Sequence, residues 1–582
     1  MQWATQVTAN AESEGKVLFV DAHGNVYAAG LFRDTVDIDP GPGVVLVETP
    51  GTATYVHKLD SNGHFIWGGS ISTTDINVPR DIRVIPNGNV YLTGAVRGVA
   101  DFDIGPAFHN LGTPYIWGGY TVCLDNAGNF LWAQVIENIN LNTNDGAKVD
   151  SVGNVWIVGT IRDTVDFDPG PGVQVHIGTN SNEELVCAKY DPAGNFLFAN
   201  LIGGPEYEAS TSLNICPSGV YVLGYFEGTV DFDPGPGTVP LTALIYSPAD
   251  RHSPFVLKYT HAGALDWVVR LDSLVPFGLS MAQEDNQGNL VMAFTFQARL
   301  DMNPGPGIDM TYSTMYNQAI AVIKLDPNGN YLWGMGLDGT GNEEFKTLGI
   351  DGDGGIYVIG NFETILDFDP GPGIAYLQTP TPGYYGGPGL LKLDPAGNFA
   401  WVTLLREGGY VKPEHIVFDD GGDCYITGSF AGNSDLAPAL LDTAILHGGN
   451  FTDPYILKLR FDACNNYLLS IDSVADIHCA TQMGWMSCSG NGTSASFAYS
   501  WNTNPPTLDS VALPTSPGIY TVTANDSSGC RLRSVLVNGP SAGNGFDMQA
   551  MWWRVHSGQA GIPSFDWTHS TEAAPTNRGW QS

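Results

Sequence analysis

Apolar and polar residues alternate along this chain in runs too short for an amphipathic helix, and the period is two rather than 3.6. Lys16-Val17-Leu18-Phe19-Val20 predicts a strand, a, followed by the polar turn Asp21-Ala22-His23-Gly24-Asn25 and by strand b, Val26-Tyr27-Ala28-Ala29-Gly30-Leu31-Phe32. A long connection leads to strand c, Tyr55-Val56-His57-Lys58-Leu59. The turn Asp60-Ser61-Asn62-Gly63 then delivers strand d, Phe65-Ile66-Trp67. Asn and Gly supply the positive φ angles that tight hairpin turns require. The same order returns at Lys324 to Trp333 and at Lys392 to Trp401.

A second signal runs in phase with the strands. Asp231-Phe232-Asp233-Pro234-Gly235-Pro236-Gly237 has copies beginning at Asp37, Asp101, Asp166, Asp301 and Asp367, with a worn trace at Asp435. Successive starts lie 64, 65, 65, 70, 66 and 68 residues apart. A fixed period of this size marks a repeat architecture, and four strands per unit suit propeller blades better than solenoid coils or separate sandwiches. The expected fold is all-β: a seven-bladed β-propeller of four-stranded blades over residues 1–470, then a small immunoglobulin-like β-sandwich over 471–540. Residues 541–582 form a tail or the start of a further domain. Gln2-Trp3-Ala4 matches strand d without a preceding blade, so it is expected to complete the seventh blade and remove an open edge. The strand-d aromatics Trp67, Trp132, Phe198, Trp267, Trp333 and Trp401 are expected to pack between neighbouring blades.

Composition narrows the function. The net charge is −36, with 24 Lys and Arg against 60 Asp and Glu, which repels phosphate backbones and argues against nucleic acid as a partner. No run of about 18 apolar residues is present, so no transmembrane helix is expected. Met1 to Val7 reads as folded-domain sequence rather than as a signal peptide, so an export signal is expected to lie outside this sequence. Cys123, Cys187, Cys216 and Cys424 sit singly in different repeats and read as buried thiols. Cys464, Cys479, Cys488 and Cys530 cluster, and could form two disulfides, Cys488 with Cys530 and Cys464 with Cys479, which favours an oxidising, extracellular setting.

Two roles fit the Asp-x-Asp-Pro-Gly-Pro-Gly copies. In one, Asp caps a turn whose backbone Pro and Gly fix. In the other, Asp37 with Asp39, Asp101 with Asp103, Asp166 with Asp168, Asp231 with Asp233 and Asp367 with Asp369 hold Ca²⁺ together with flanking carbonyls. The motif lacks the third acidic ligand and terminal Glu of the familiar calcium loops, which favours the turn. Asp351-Gly352-Asp353-Gly354-Gly355 reads as an a–b turn, and His23, His57 and His64 as solvated residues at turns or strand ends. Serine-hydrolase elbows, zinc-protease motifs, phosphate loops and zinc-spaced Cys/His clusters are absent from the sequence, so an enzyme is not expected. A catalytic carboxylate pair should break the repeat rather than obey it.

The blades, with Gly-Asn-Val-Tyr-x-x-Gly, Asp-Phe-Asp-Pro-Gly-Pro-Gly and Lys-Leu-Asp-x-x-Gly-Asn-x-x-Trp recurring in phase, resemble the seven-bladed beta-propeller repeat (SBBP-type) proteins of Bacteroidetes. The segment from Cys479 to about Pro540 resembles the repeat module of gliding-motility adhesins of the same bacteria. Such proteins are typically exported by the type IX secretion route, and neither family carries over a catalytic site. The resemblances imply a monomeric, non-enzymatic binding or adhesion protein, extracellular or at the cell surface, that takes an extracellular polysaccharide or another surface protein. A glycan-binding propeller lectin and a secreted polysaccharide hydrolase or lyase are the alternatives.

Overall fold

The computed structural model describes residues 2–460 apart from 142–145, 163, 179–182, 246–250, 274–279, 315–316, 370, 372–374, 379–385, 406, 437–444 and 450, and beyond them the backbone of seven strands. The chain divides into two compact units, Met1–Asp462 and Ala463–Ser582.

Among the described residues the first unit holds seven four-stranded antiparallel blades. Blade 1 runs Glu14–Val20, Val26–Asp37, Leu46–Leu59 and Phe65–Thr73 as strands a to d. Blade 4 runs Glu208–Cys216, Gly219–Phe226, Ser253–Tyr259 and Leu265–Arg270. Blade 7 supplies three strands, Glu407–Phe418, Asp423–Asp435 and Asp453–Arg460. Its fourth comes from the other end of the chain, where Trp3–Gln6 pairs antiparallel with Lys458 back to Tyr455. Each strand a neighbours the next in order and blade 7 returns to blade 1, so the sheets close on themselves as a propeller. Where the ends of the ring meet, Glu414 lies between Lys16 Nζ at 3.0 Å and Lys412 Nζ at 2.6 Å. Burial opposes its ionisation, but those two cations hold its pKa below the ordinary carboxylate range.

The repeated residues make the joints between blades. Trp67 Nε1 donates to Asn126 O of the next blade at 3.0 Å, Trp267 Nε1 to Pro327 O at 2.9 Å, and Trp3 Nε1 to Ser61 O at 3.0 Å. The c–d turn glycines Gly128, Gly329 and Gly63 take positive φ and also face those indoles, leaving no room for a Cβ. The rings are half-buried rather than enclosed, because the outer face of strand d meets solvent. Strand c contributes a buried Lys: Lys58 Nζ lies 4.8 Å over the Tyr27 ring and donates to Asn126 Oδ1 at 2.6 Å. Lys324 Nζ pairs with Asp285 Oδ2 at 2.7 Å and reaches Pro395 O at 2.7 Å. Blade 2 has Cys123 at this place, its thiol pushed up to about 11 by burial. Cys123, Cys187, Cys216 and Cys424 are all free and buried.

In the second unit, Leu468–Ala475 pairs with Trp485–Asn491, and Phe497–Trp501, Gly518–Asp526, Arg531–Asn538 and Met551–Arg554 form a second sheet in that order. Cys464, Cys479 and Cys530 lie outside the described residues, and only the backbone of Cys488 is placed.

Candidate functional site

In every blade the a–b and c–d turns leave one end of the sheet, and the b–c and d–a connections leave the other. The b–c connections fold back as accessory hairpins in one register: Asp37 opposes Leu46, Asp101 opposes Asn110, Asp166 opposes Val175, Asp231 opposes Pro240, Asp301 opposes Met310 and Asp367 opposes Tyr376. The worn copy keeps the pattern, with Asp435 opposite Ile445.

Each residue of the motif has one task in that hairpin. The first Asp accepts from two backbone N–H groups through Oδ1: Asp231 takes Asp233 N at 3.1 Å and Val239 N at 2.8 Å, tying the two ends of the loop together. Asp37, Asp101, Asp166 and Asp367 do the same in their own loops. The next residue is an anchor, and Ile38, Phe102, Phe167, Phe232, Met302 and Phe368 are all buried. The second Asp accepts from the glycine two residues on, as Asp233 Oδ1 does from Gly235 N at 2.8 Å. Its other oxygen occupies the space a Cβ on Gly237 would need.

The remaining second-position aspartates are used in the same way. Asp39 Oδ1 accepts from Gly41 N at 2.7 Å, Asp103 Oδ1 from Gly105 N at 2.8 Å, Asp168 Oδ1 from Gly170 N at 2.8 Å, and Asp369 Oδ1 from Gly371 N at 2.7 Å. None of Asp39, Asp103, Asp168, Asp233 and Asp369 is brought together with further ligands: among the described residues, no group of three or more Asp, Glu, His or Cys is arranged to hold a metal. The fold of the loop turns one oxygen of each carboxylate onto its own backbone. Asn303 serves in the fifth copy, accepting from Gly305 N at 2.8 Å, so the place needs an acceptor oxygen and not a charge. Asp351 likewise caps its a–b turn, accepting from Asp353 N and Gly355 N. His57 departs from expectation: it is enclosed, its Nδ1 lies 2.9 Å from Ile38 O, and burial pushes its pKa down to about 4.

The hairpins also carry the exposed apolar surface. Among the described residues, 16 of the 21 exposed large hydrophobic side chains lie between strands b and c or at their adjoining ends. Val44, Phe108, Val173 and Ile308, one residue past the motif, are 69%, 82%, 73% and 79% exposed.

Carboxyl groups gather at one part of this end, and the sequence reading missed it. Blades 1 to 3 place an arginine after the last strand-b hydrophobe, Arg33, Arg97 and Arg162, whereas blades 4 and 6 place Glu227 and Glu363. The strand-c residue paired with that hydrophobe is Ala53, Gly118, Ser253, Ala319 and Gly387 in five blades, but an acid in the other two, Glu184 in blade 3 and Asp453 in blade 7. The strand-a partner is Asn77 in blade 2, Glu208 in blade 4 and Glu343 in blade 6. Asn77 Oδ1 accepts from Thr54 Oγ1 at 2.6 Å, and Glu343 Oε2 from Gly339 N at 3.0 Å. Glu208 is fully enclosed, and neither of its oxygens meets a hydrogen-bond partner of good geometry. Burial pushes its pKa up to about 8; the Gly204 N–H eases the charge, and Glu184, Glu206 and Glu227 oppose it. Burial likewise lifts Glu343 to about 7, with Asp338 and Glu363 adding to the shift. Glu208 and Glu184 have in-phase counterparts in Glu343 and Asp453, and the close spacing of Glu183, Glu184, Glu206 and Glu208 was the available signal.

Comparison with known proteins follows the fold. No family profile matches the chain. A WD repeat-containing protein of Acanthamoeba polyphaga mimivirus is 21% identical over 512 residues, covering 74% of this chain and 36% of the relative. This chain therefore spans about a third of that protein, a propeller-type repeat protein by its name. Among solved structures, the extracellular domain of a hybrid two-component system from B. thetaiotaomicron aligns over 90% of this chain and 98% of that one, at 8% identity and a TM-score of 0.17. No helix among the described residues is long and apolar enough to cross a membrane.

Proposed function

We propose that this chain is a non-enzymatic binding protein of the cell exterior. The hairpin end of its propeller takes an extracellular polysaccharide or another surface protein, and its second unit, an immunoglobulin-like module, acts as a spacer. The observation that carries this reading is the concentration of exposed apolar side chains on the b–c hairpins, while the motif aspartates are engaged in holding the hairpin loops themselves. Scattered exposed hydrophobes are ordinary, whereas a set collected on one end marks an interaction surface. The resemblance of the blades to exported surface proteins supports the location and the type IX route.

A variant with Val44, Phe108, Val173 and Ile308 all changed to Asp tests it. The variant should melt with the parent chain, because these side chains rest on nothing, and should lose retention on polysaccharide arrays and on immobilised surface protein. Equal retention by the two chains, or none by either, would refute the reading.

The paired aspartates act in this proposal as turn-formers, since each loop offers two side chains whose Oδ1 atoms already accept from backbone N–H groups. Melting of the propeller is expected to be the same in calcium and in chelator. A resident ion would add about 2.7 kcal/mol at a hundredfold excess over its Kd, a shift a calorimeter resolves.

A further inference from the structure

We infer that the junction of blades 3 and 4 at the hairpin end is a binding site for an organic cation, an alkylammonium or guanidinium group such as a basic side chain of a protein partner presents. The inference rests on the binding-platform reading and names what one point of that platform recognises.

Three aromatic rings meet there. Tyr207 from the d–a connection, Tyr225 near the end of strand b and His252 before strand c lie 5.4 to 6.2 Å apart by centroid, with the imidazole nearly perpendicular to both phenol rings. Faces of aromatic rings attract cations through their quadrupole. Around them stand the carboxyl groups of Glu183, Glu184, Glu206, Glu208 and Glu227. Arg162 lies 2.7 Å from Glu183, and His252 Nε2 lies 2.7 Å from Glu227. Glu183 also accepts from Thr160 Oγ1. Beneath the surface Glu208 is an enclosed carboxyl with no good hydrogen-bond partner, at a place where Asn77 and Glu343 each find one. An acidic group left unsatisfied in a ring of further carboxyls is suited to a positive charge that arrives from outside.

Charge and burial then give the site a signature. Glu208 faces Glu184 on strand c of blade 3, Glu206 on the d–a connection and Glu227 beyond strand b, all of which favour its protonated form. A bound cation reverses that balance, so binding should release the Glu208 proton to solvent. Affinity then climbs about tenfold per pH unit as pH rises toward the Glu208 pKa, and flattens above it.

Calorimetry with Nα-acetyl-arginine methylamide and with tetramethylammonium, from pH 6 to 9, tests this on the full chain. Wild type should bind both with the pH slope just described. E208Q, which keeps the shape and removes the charge, should stay folded and lose the slope. Tyr225→Ala should weaken binding severalfold and keep the slope. No binding by wild type at pH 8, or the same slope in E208Q, would overturn the site. Loss of surface-protein retention in the four-tip variant, with full retention in E208Q, would overturn the cation site and leave the platform standing.

Discussion

A chain lacking Met1 to Val7 is expected to melt well below the full chain in its propeller transition, with a loss of about 3–5 kcal/mol. The seven residues hold more than an edge. Gln2 N and Val7 N donate to Lys458 O and Pro454 O at 2.9 and 3.0 Å, bracketing the strand that completes blade 7. Trp3 packs edge-on against Tyr425 at 6.2 Å, bonds Ser61 O and receives Gly63 of blade 1 on its face. Because the indole is half-buried, its loss costs less than the ~3–5 kcal/mol of a core aromatic. Val7 makes up the difference: it is fully enclosed with Phe32, Val36, Ile38 and Tyr55, and burial of such a side chain contributes about 1.5–3 kcal/mol. Removal also bares the edge of Asp453–Arg460, a template for pairing with another chain. Differential scanning calorimetry of the two chains decides it, read on the propeller transition since the chain has two units. Equal melting would mean that the seventh blade closes without the strand.

The second large effect is a dependence on pH that Gln substitution should abolish. Glu208 and Glu343 hold their protons in the folded chain up to about 8 and about 7, and give them up near the ordinary carboxylate value when unfolded. Between those values the folded state binds more protons, so stability falls as pH rises. The contribution is full below the unfolded pKa and gone above the folded one. At 1.36 kcal/mol per unit, Glu208 alone sets an upper bound of roughly 5 kcal/mol. The double variant carrying Glu208→Gln and Glu343→Gln should match wild type near pH 4, where the acids are protonated, and melt above it at pH 8. Melting curves across that range measure the difference, which cancels titrations common to both chains. Parallel pH profiles would show that these carboxyls ionise freely in the fold.

The in-phase residues bind blade to blade, as Trp267 does with Pro327 and Lys324 with Pro395. The acids Glu184, Glu208 and Glu227 lie at the hairpin end. Glu208, enclosed beside further carboxyls, is unfavourable in its charged form.

What the sequence determined by itself is the part encoded by near neighbours. Alternation of apolar and polar residues gives strands, Asn-Gly and Pro-Gly give turns, and the recurrence of Asp37, Asp101 and their counterparts sets the unit, because backbone preference and side-chain direction depend on a few adjacent residues. The motif's turn role was legible for the same reason, since Asp231 bonds to residues only two and eight positions away, and Asp39, Asp103, Asp168 and Asp369 to glycines two positions on. Only the tertiary structure decided which side chains meet between blades. The enclosure of His57 depends on the hairpin that folds over it, and the half-burial of Trp3 depends on the far end of the chain. Arg162, Glu184, Glu208, Glu227 and His252 are spread over ninety residues, and no local pattern brings them together. A propeller assembles such groups by closing a ring, and the electrostatics of the junction follow from that closure, because desolvation and charge repulsion depend on distance in space and not on separation along the chain.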